Sequence, residues 1–189
     1  MYGQFLTEMI ASQVAAGTLL NAYTTAKSVI NPTALAPIPG NYFFPGSQIR
    51  VTVLGGLSNI VTAQPTFTFQ VMMGSIIVHT SGAILTTTTA HTLIPFKYVV
   101  DLRVDTIGSG TVAKMLGQGV LQGIMFVISG AVADPTAGVG TIMCPNTAPA
   151  VGTGFDSTIT NILDFWVGIS VSQATNGIQI YEYYAELLQ

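Results

Sequence analysis

The chain has 189 residues, enough for one domain with a substantial core. Only 7% of them are charged and the formal net charge is −3, so no basic field is present to hold nucleic-acid phosphates. The polar surface must come from Thr, Ser, Asn, Gln and backbone, and so little charge gives weak electrostatic protection against association.

The first sixteen residues differ from the rest. Phe5, Leu6, Met9, Ile10 and Gln13/Val14 recur at three- and four-residue spacing, which predicts a short amphipathic helix or arm. A helix this short is marginal in water and needs a surface to pack against, either its own sheet or a neighbouring subunit. Residues 1–16 are therefore read as an arm and 17–189 as the folded domain, with the arm dispensable for folding.

From Gly17 the segment GTLLNAYTTAKSVI reads as a strand, and Pro32, Pro37, Pro39 and Pro45 then break any regular element. In Pro45–Gly74, Ile49, Val51 and Val53 alternate with Gln48, Arg50 and Thr52, and Phe67, Phe69, Val71 and Met73 alternate with Thr66, Thr68, Gln70 and Met72. Period two predicts two half-buried strands, read as antiparallel neighbours joined by the flexible GGLSNIVTAQ. SIIVHT is a short continuation, and Thr86–Thr89 marks a loop.

Alternation returns where Phe96, Tyr98, Val100, Leu102 and Val104 face one way and Lys97, Asp101, Arg103 and Asp105 the other. IGSG turns the chain into TVAKMLGQGVLQGIMFV. Ser129 to Thr158 is a long small-residue excursion of the kind that contacts something. Leu163, Phe165, Val167, Ile169 and Val171 alternate in the next strand, and Asn176-Gly177 signals a type I′ hairpin into IQIYEYYAELL. About eight strands with hardly any helix predict an all-β fold, a single antiparallel β-sandwich of jelly-roll type.

A mean hydropathy of +0.59 raises a membrane alternative. Met115 to Ala133 carries no charge, yet Gly117, Gln118, Gly119, Gln122 and Gly123 interrupt it, which argues against a spanning helix. The N-terminal segment has neither a basic start nor a clean apolar run before a cleavage site, which predicts assembly in a cytoplasm.

The search for chemistry is negative. Gly108–Ala113 matches a loose G-x-G-x-x-A, but a β-patterned run follows it instead of a helix, so it reads as a turn. His79 and His91 have no second ligand at metal-binding spacing, and Cys144 stands alone with no activating base nearby in sequence. No catalytic, cofactor or metal residues are assigned, and the chain is read as non-enzymatic. Tyr181, Tyr183, Tyr184 and Trp166 remain: Tyr181 and Tyr183 are predicted to share a face, where an aromatic row serves as sheet core or as a binding edge.

In the order of its segments, the chain resembles small jelly-roll virion proteins of tailed bacteriophages, capsid decoration (cement) or tail-associated proteins. The segments are GTLLNAYTTAKSVI, PGNYFFPGSQIRVTVLGGLSNI, PTFTFQVMMGSIIV, IPFKYVVDLRVDTIGSGTVAKMLGQG and NTAPAVGTGFDSTITNILDFWVGISVSQATNGIQIYEYYAELL. The resemblance implies a structural protein of the outer capsid surface, a homotrimer clamping the major capsid protein; the low charge and the interrupted apolar run predict no nucleic-acid or membrane partner. Its alternative is a tail fibre or baseplate module recognising a host glycan or surface protein. It carries no active-site residues. The interface candidates are Phe5, Leu6, Met9 and Ile10 on the arm, and Tyr181 and Tyr183 on the last strand.

Overall fold

In a computed structural model, the described residues are 7–60, 62, 64–127 and 139–188. They contain no α-helix and twelve strands, three of them two-residue pairings. In chain order these are β1 (Thr7–Ser12), β2 (Leu20–Asn21), β3 (Lys27–Ser28), β4 (Pro37–Ile38), β5 (Gln48–Asn59), β6 (Thr66–Met73), β7 (Ile76–Thr86), β8 (His91–Thr106), β9 (Lys114–Val127), β10 (Val139–Cys144), β11 (Asn161–Ile169) and β12 (Gly177–Leu188).

The hydrogen-bonded order is β1-β12-β5-β8-β9-β7-β6-β11-β3, and β10 extends from β9. β8 and β9 pair from Lys97↔Gln122 to Thr106↔Lys114, whereas β7 and β9 meet through only Leu85↔Val127 and Thr86↔Phe126. That short contact is the corner at which one sheet folds over the other. Phe69 of β6 meets Phe96 and Tyr98 of β8 at centroid distances of 5.7 and 5.4 Å, so the two halves face each other across an aromatic core. The molecule is an antiparallel β-sandwich, as the alternation predicts. The strand order does not establish the jelly-roll wrap.

The period-two faces hold. Phe96, Tyr98, Val100, Leu102 and Val104 are buried, while Lys97, Asp101, Arg103 and Asp105 are exposed. The pairing of β5 with β6 does not hold. β5 lies between β12 and β8, and β6 lies between β7 and β11 in the opposite sheet. Alternation fixes which side chains point inward but not which strand lies alongside.

The predicted GG connection is also strand. A Cβ on Gly55 would lie 2.4 Å from the Gln179 carbonyl and 2.7 Å from the Phe96 ring, so glycine here permits close packing of β5 and does not make a turn.

Three further expectations change. Thr7–Ser12 is a strand paired with β12, not a helix: backbone pairing along an open sheet edge replaces the isolated turn that three-and-four spacing suggested. Asn176-Gly177 makes no hairpin, because β11 and β12 belong to opposite sheets and neither residue has positive φ. Asn176 is instead buried, accepting from the Ile60 amide at 3.0 Å and donating to the Val171 carbonyl at 3.2 Å. GTLLNAYTTAKSVI is not a continuous strand but a strap: Leu20 pairs with Ile178 of one sheet and Lys27 with Val167 of the other.

Candidate interaction surfaces

The outward face of the larger sheet is a regular grid. Arg50 of β5 stands opposite Glu186 of β12 on one side and Asp101 of β8 on the other, and Asp101 stands opposite Gln118 of β9. The next row toward the strand middles runs Tyr184, Thr52, Val99, Val120 and, on β10, Met143. Arg50 donates to both carboxylate oxygens of Asp101, at 2.7 and 2.9 Å, and this pairing raises the guanidinium's already high pKa. Both side chains are about half exposed, so the pair fixes geometry more than it stabilises the fold.

Four of the five basic residues (Arg50, Lys97, Arg103, Lys114) and four of the eight acidic ones (Asp101, Asp105, Glu182, Glu186) lie on these strands, none of them buried. Sequence reasoning saw the solvated rows of single strands; only the register assembles them into one charged face.

The outward face of the smaller sheet has a different character. Trp166 of β11 lies between Gln70 of β6 and Ser28 of β3. Its indole N–H donates to Asp164 Oδ2 at 2.6 Å. Asp164 Oδ1 accepts from the Ser28 hydroxyl at 2.8 Å and from the Phe165 amide at 2.7 Å. Asp164 is buried with its acceptors engaged, and the half-buried indole is held by a fixed partner among Thr66, Thr68 and Gln70.

At one end of the sandwich three loops are laced together. The Gly110 amide donates to Asp156 Oδ2 at 2.8 Å, the Gly108 amide to the Ser157 hydroxyl at 2.9 Å, and the Asn41 amide to the Ser157 carbonyl at 2.7 Å. Asp156 also accepts from Thr158, and these bonds hold its carboxyl below the usual range. The loops present Phe44, Ile107, Val112 and Ile159, each 41–56% exposed. G-x-G-x-x-A lies here, in the turn joining β8 to β9, with positive φ at Gly108 and Gly110.

The predicted interface residues are not brought together. Phe5 and Leu6 lie outside the described residues. Met9 is 56% exposed on β1, and Ile10 packs partly against the core. Tyr181 and Tyr183 do not share a face: Tyr181 is 43% exposed and Tyr183 is fully buried. A bulge between Ile180 and Glu182 inserts one extra residue and reverses the alternation of β12. Its signal is in the sequence, where apolar positions shift from even (Ile178, Ile180) to odd (Tyr183, Ala185, Leu187).

The two histidines are also apart. His79 Nε2 lies 2.8 Å from the Tyr98 hydroxyl in the core, and His91 Nε2 lies 3.0 Å from the Thr87 hydroxyl at the start of β8. A cavity of about 330 Å³ beside His79 is walled by Thr80, Gly117, Pro145, Val151 and Thr153, and no carboxylate lines it. Cys144 is buried, and burial raises its thiol to about 11, which leaves it protonated and unreactive at neutral pH. Among the described residues no three His, Cys, Asp or Glu side chains cluster as metal ligands, and no helix is long and apolar enough to cross a membrane.

No protein-family model matches the chain, and no curated protein matches it in sequence. Among solved structures it is similar to one described as the CBM2 module of the evolved Dit of Lactobacillus casei BL23 phage J-1. The match covers 98% of each chain at 10% identity with a TM-score of 0.44, too distant to carry residue roles across.

Proposed function

We propose that this protein is a non-enzymatic structural subunit of a tailed-bacteriophage virion, a capsid decoration protein seated on the major capsid protein lattice at the outer capsid surface. The observation that carries this reading is the laced loop end. Phe44, Ile107, Val112 and Ile159 project from three loops fixed to one another by hydrogen bonds, so ordering them costs little on docking. Apolar anchors on a rigid, charge-poor platform suit a lasting interface better than reversible chemistry. The sequence resemblance to jelly-roll virion proteins supports the same role, with assembly in the host cytoplasm.

The test is binding of the purified protein to expanded capsids that lack it. Wild type co-sediments with capsids, and Ile107→Asp with Ile159→Asp abolishes co-sedimentation while leaving the thermal melt in place. Equal binding by the double variant removes the loop end as the docking surface, and no binding by wild type removes the capsid role.

A second reading rests on the opposite feature, the anchored indole of Trp166 on a face with little charge. A flat aromatic surface among Thr and Gln side chains suits a neutral, hydroxyl-rich ligand, which fits a tail or baseplate module recognising a host glycan. Loss of glycan-array binding in Trp166→Ala, with capsid binding absent in wild type, would select it.

A further inference from the structure

We infer that the outward face of the larger sheet pairs with the same face of a second copy of this chain, related by a two-fold axis that runs along the strands midway between β5 and β8. This goes beyond the docking role above and does not depend on it.

The argument is the register. Such an axis keeps each row and reverses the order of strands, so β5 lies over the second copy's β8, and β12 lies over its β9. The Arg50–Asp101 pair then meets its own copy head to tail, giving an alternating ring of two guanidinium and two carboxylate groups. In the same row Glu186 lies over Gln118, an acceptor over an amide donor. In the row toward the strand middles Tyr184 lies over Val120, and Val99 lies over the buried Thr52, so Tyr184, Val99 and Val120 carry the apolar contact at the centre. On the other side Leu188 lies over Leu116 and Gln48 over Arg103.

No like charges oppose each other in this arrangement. A two-fold axis along the Tyr184 row would set Lys97 over Asp101 but also Glu182 over Glu186, a like-charge contact that the strand-parallel axis avoids. Size agrees: four strands spaced ~4.8 Å and four outward residues spaced ~6.8 Å give roughly 500 Å² per copy. The pair buries roughly 1,000 Å², the lower bound of a specific interface. A shallow groove of about 420 Å³ between Gln48, Arg103, Gln118 and Met143 would be closed by the second copy.

Light scattering across a concentration series tests this on the full chain. Wild type reaches twice the chain mass at concentrations up to about 100 μM, a weak but specific association. Val120→Glu and, separately, Leu188→Asp weaken self-association at least tenfold, with circular dichroism unchanged. Arg50→Glu, which would set four carboxylates around the ring, also weakens self-association at least tenfold. Ile107→Asp, on the loop end, leaves the dimer intact. A wild-type monomer at every concentration, a mass of three chains, or a dimer indifferent to both Val120→Glu and Leu188→Asp overturns the inference.

Discussion

His79 Nε2 and the Tyr98 hydroxyl, 2.8 Å apart, join the two sheets by a polar contact inside the core. Burial lowers the His79 pKa to about 4, against an ordinary value of 6.5, and a hydrogen bond to the Gly117 backbone offsets part of that effect. The folded protein therefore holds His79 neutral in a range where the unfolded chain binds a proton. Stability is fully present above about pH 6.5 and falls as the pH drops toward 4, by roughly 3 kcal/mol in total from this group. Urea unfolding at stepped pH measures it, and His79→Gln flattens the dependence between pH 6.5 and 4. An equally steep dependence in the variant would assign the loss to other groups.

The core holds two tyrosines with opposite accounts. Tyr98 has a partner for its hydroxyl, whereas the Tyr183 hydroxyl is buried with none among the described residues. Removing a bonded hydroxyl strands its partner, and removing an unbonded one relieves a desolvation cost. Tyr98→Phe is therefore expected to cost about 1–2 kcal/mol, and Tyr183→Phe to be neutral or stabilising by up to about 1 kcal/mol. Chemical denaturation of the two variants side by side decides this, and a reversed order would contradict the hydrogen-bond assignment.

What was legible in the sequence was local. The inward set Phe96 to Val104 and the outward set Lys97 to Asp105 follow from the pleat, which repeats every two residues whatever the neighbours are. What was not legible depends on contacts between distant segments. The placement of β5 and β6 in opposite sheets, the burial of Asn176 in a crossover and the covering of Asp164 by Ser28 are all set by chain that arrives from elsewhere. Tyr181 and Tyr183 lie between these cases, since the bulge leaves a parity slip in the sequence that strict alternation overlooks. The charged grid was legible strand by strand but not as a surface, because register is a property of pairs.

Asp164 offers a direct reading of the smaller face. Its carboxylate accepts from Ser28, the Phe165 amide and the Trp166 indole, so Asp164→Ala leaves three donors without their acceptor. The expected cost is about 2–4 kcal/mol, on the order of 1 kcal/mol or more per bond lost to a charged group. Trp166 is the single tryptophan, so its emission reports the same event: the released indole moves into solvent and the folded-state spectrum shifts to the red. An unchanged spectrum together with an unchanged melt would show that the indole is held by packing alone.

The last prediction concerns residues 1–16, expected from the sequence to be dispensable for folding. β1 pairs with β12 from Thr7↔Leu188 to Ser12↔Tyr184, and Ala11 is part of the core. Beyond the strand, buried Gln13 donates to the Ile180 carbonyl at 3.0 Å and accepts from the Asn31 amide at 3.0 Å, tying β12 to the chain after β3. Its backbone amide also donates to the Tyr183 carbonyl at 2.7 Å. Deleting 1–16 removes these bonds and opens a long edge on β12, which invites pairing between chains. The truncated protein is therefore expected to lose at least about 2 kcal/mol, at on the order of 1 kcal/mol per bond, and to aggregate on heating. Gln13→Ala in the full chain isolates the side-chain contribution and is expected to cost about 1–2 kcal/mol. A 1–16 deletion that melts at the wild-type temperature would return the segment to the role of a detachable arm.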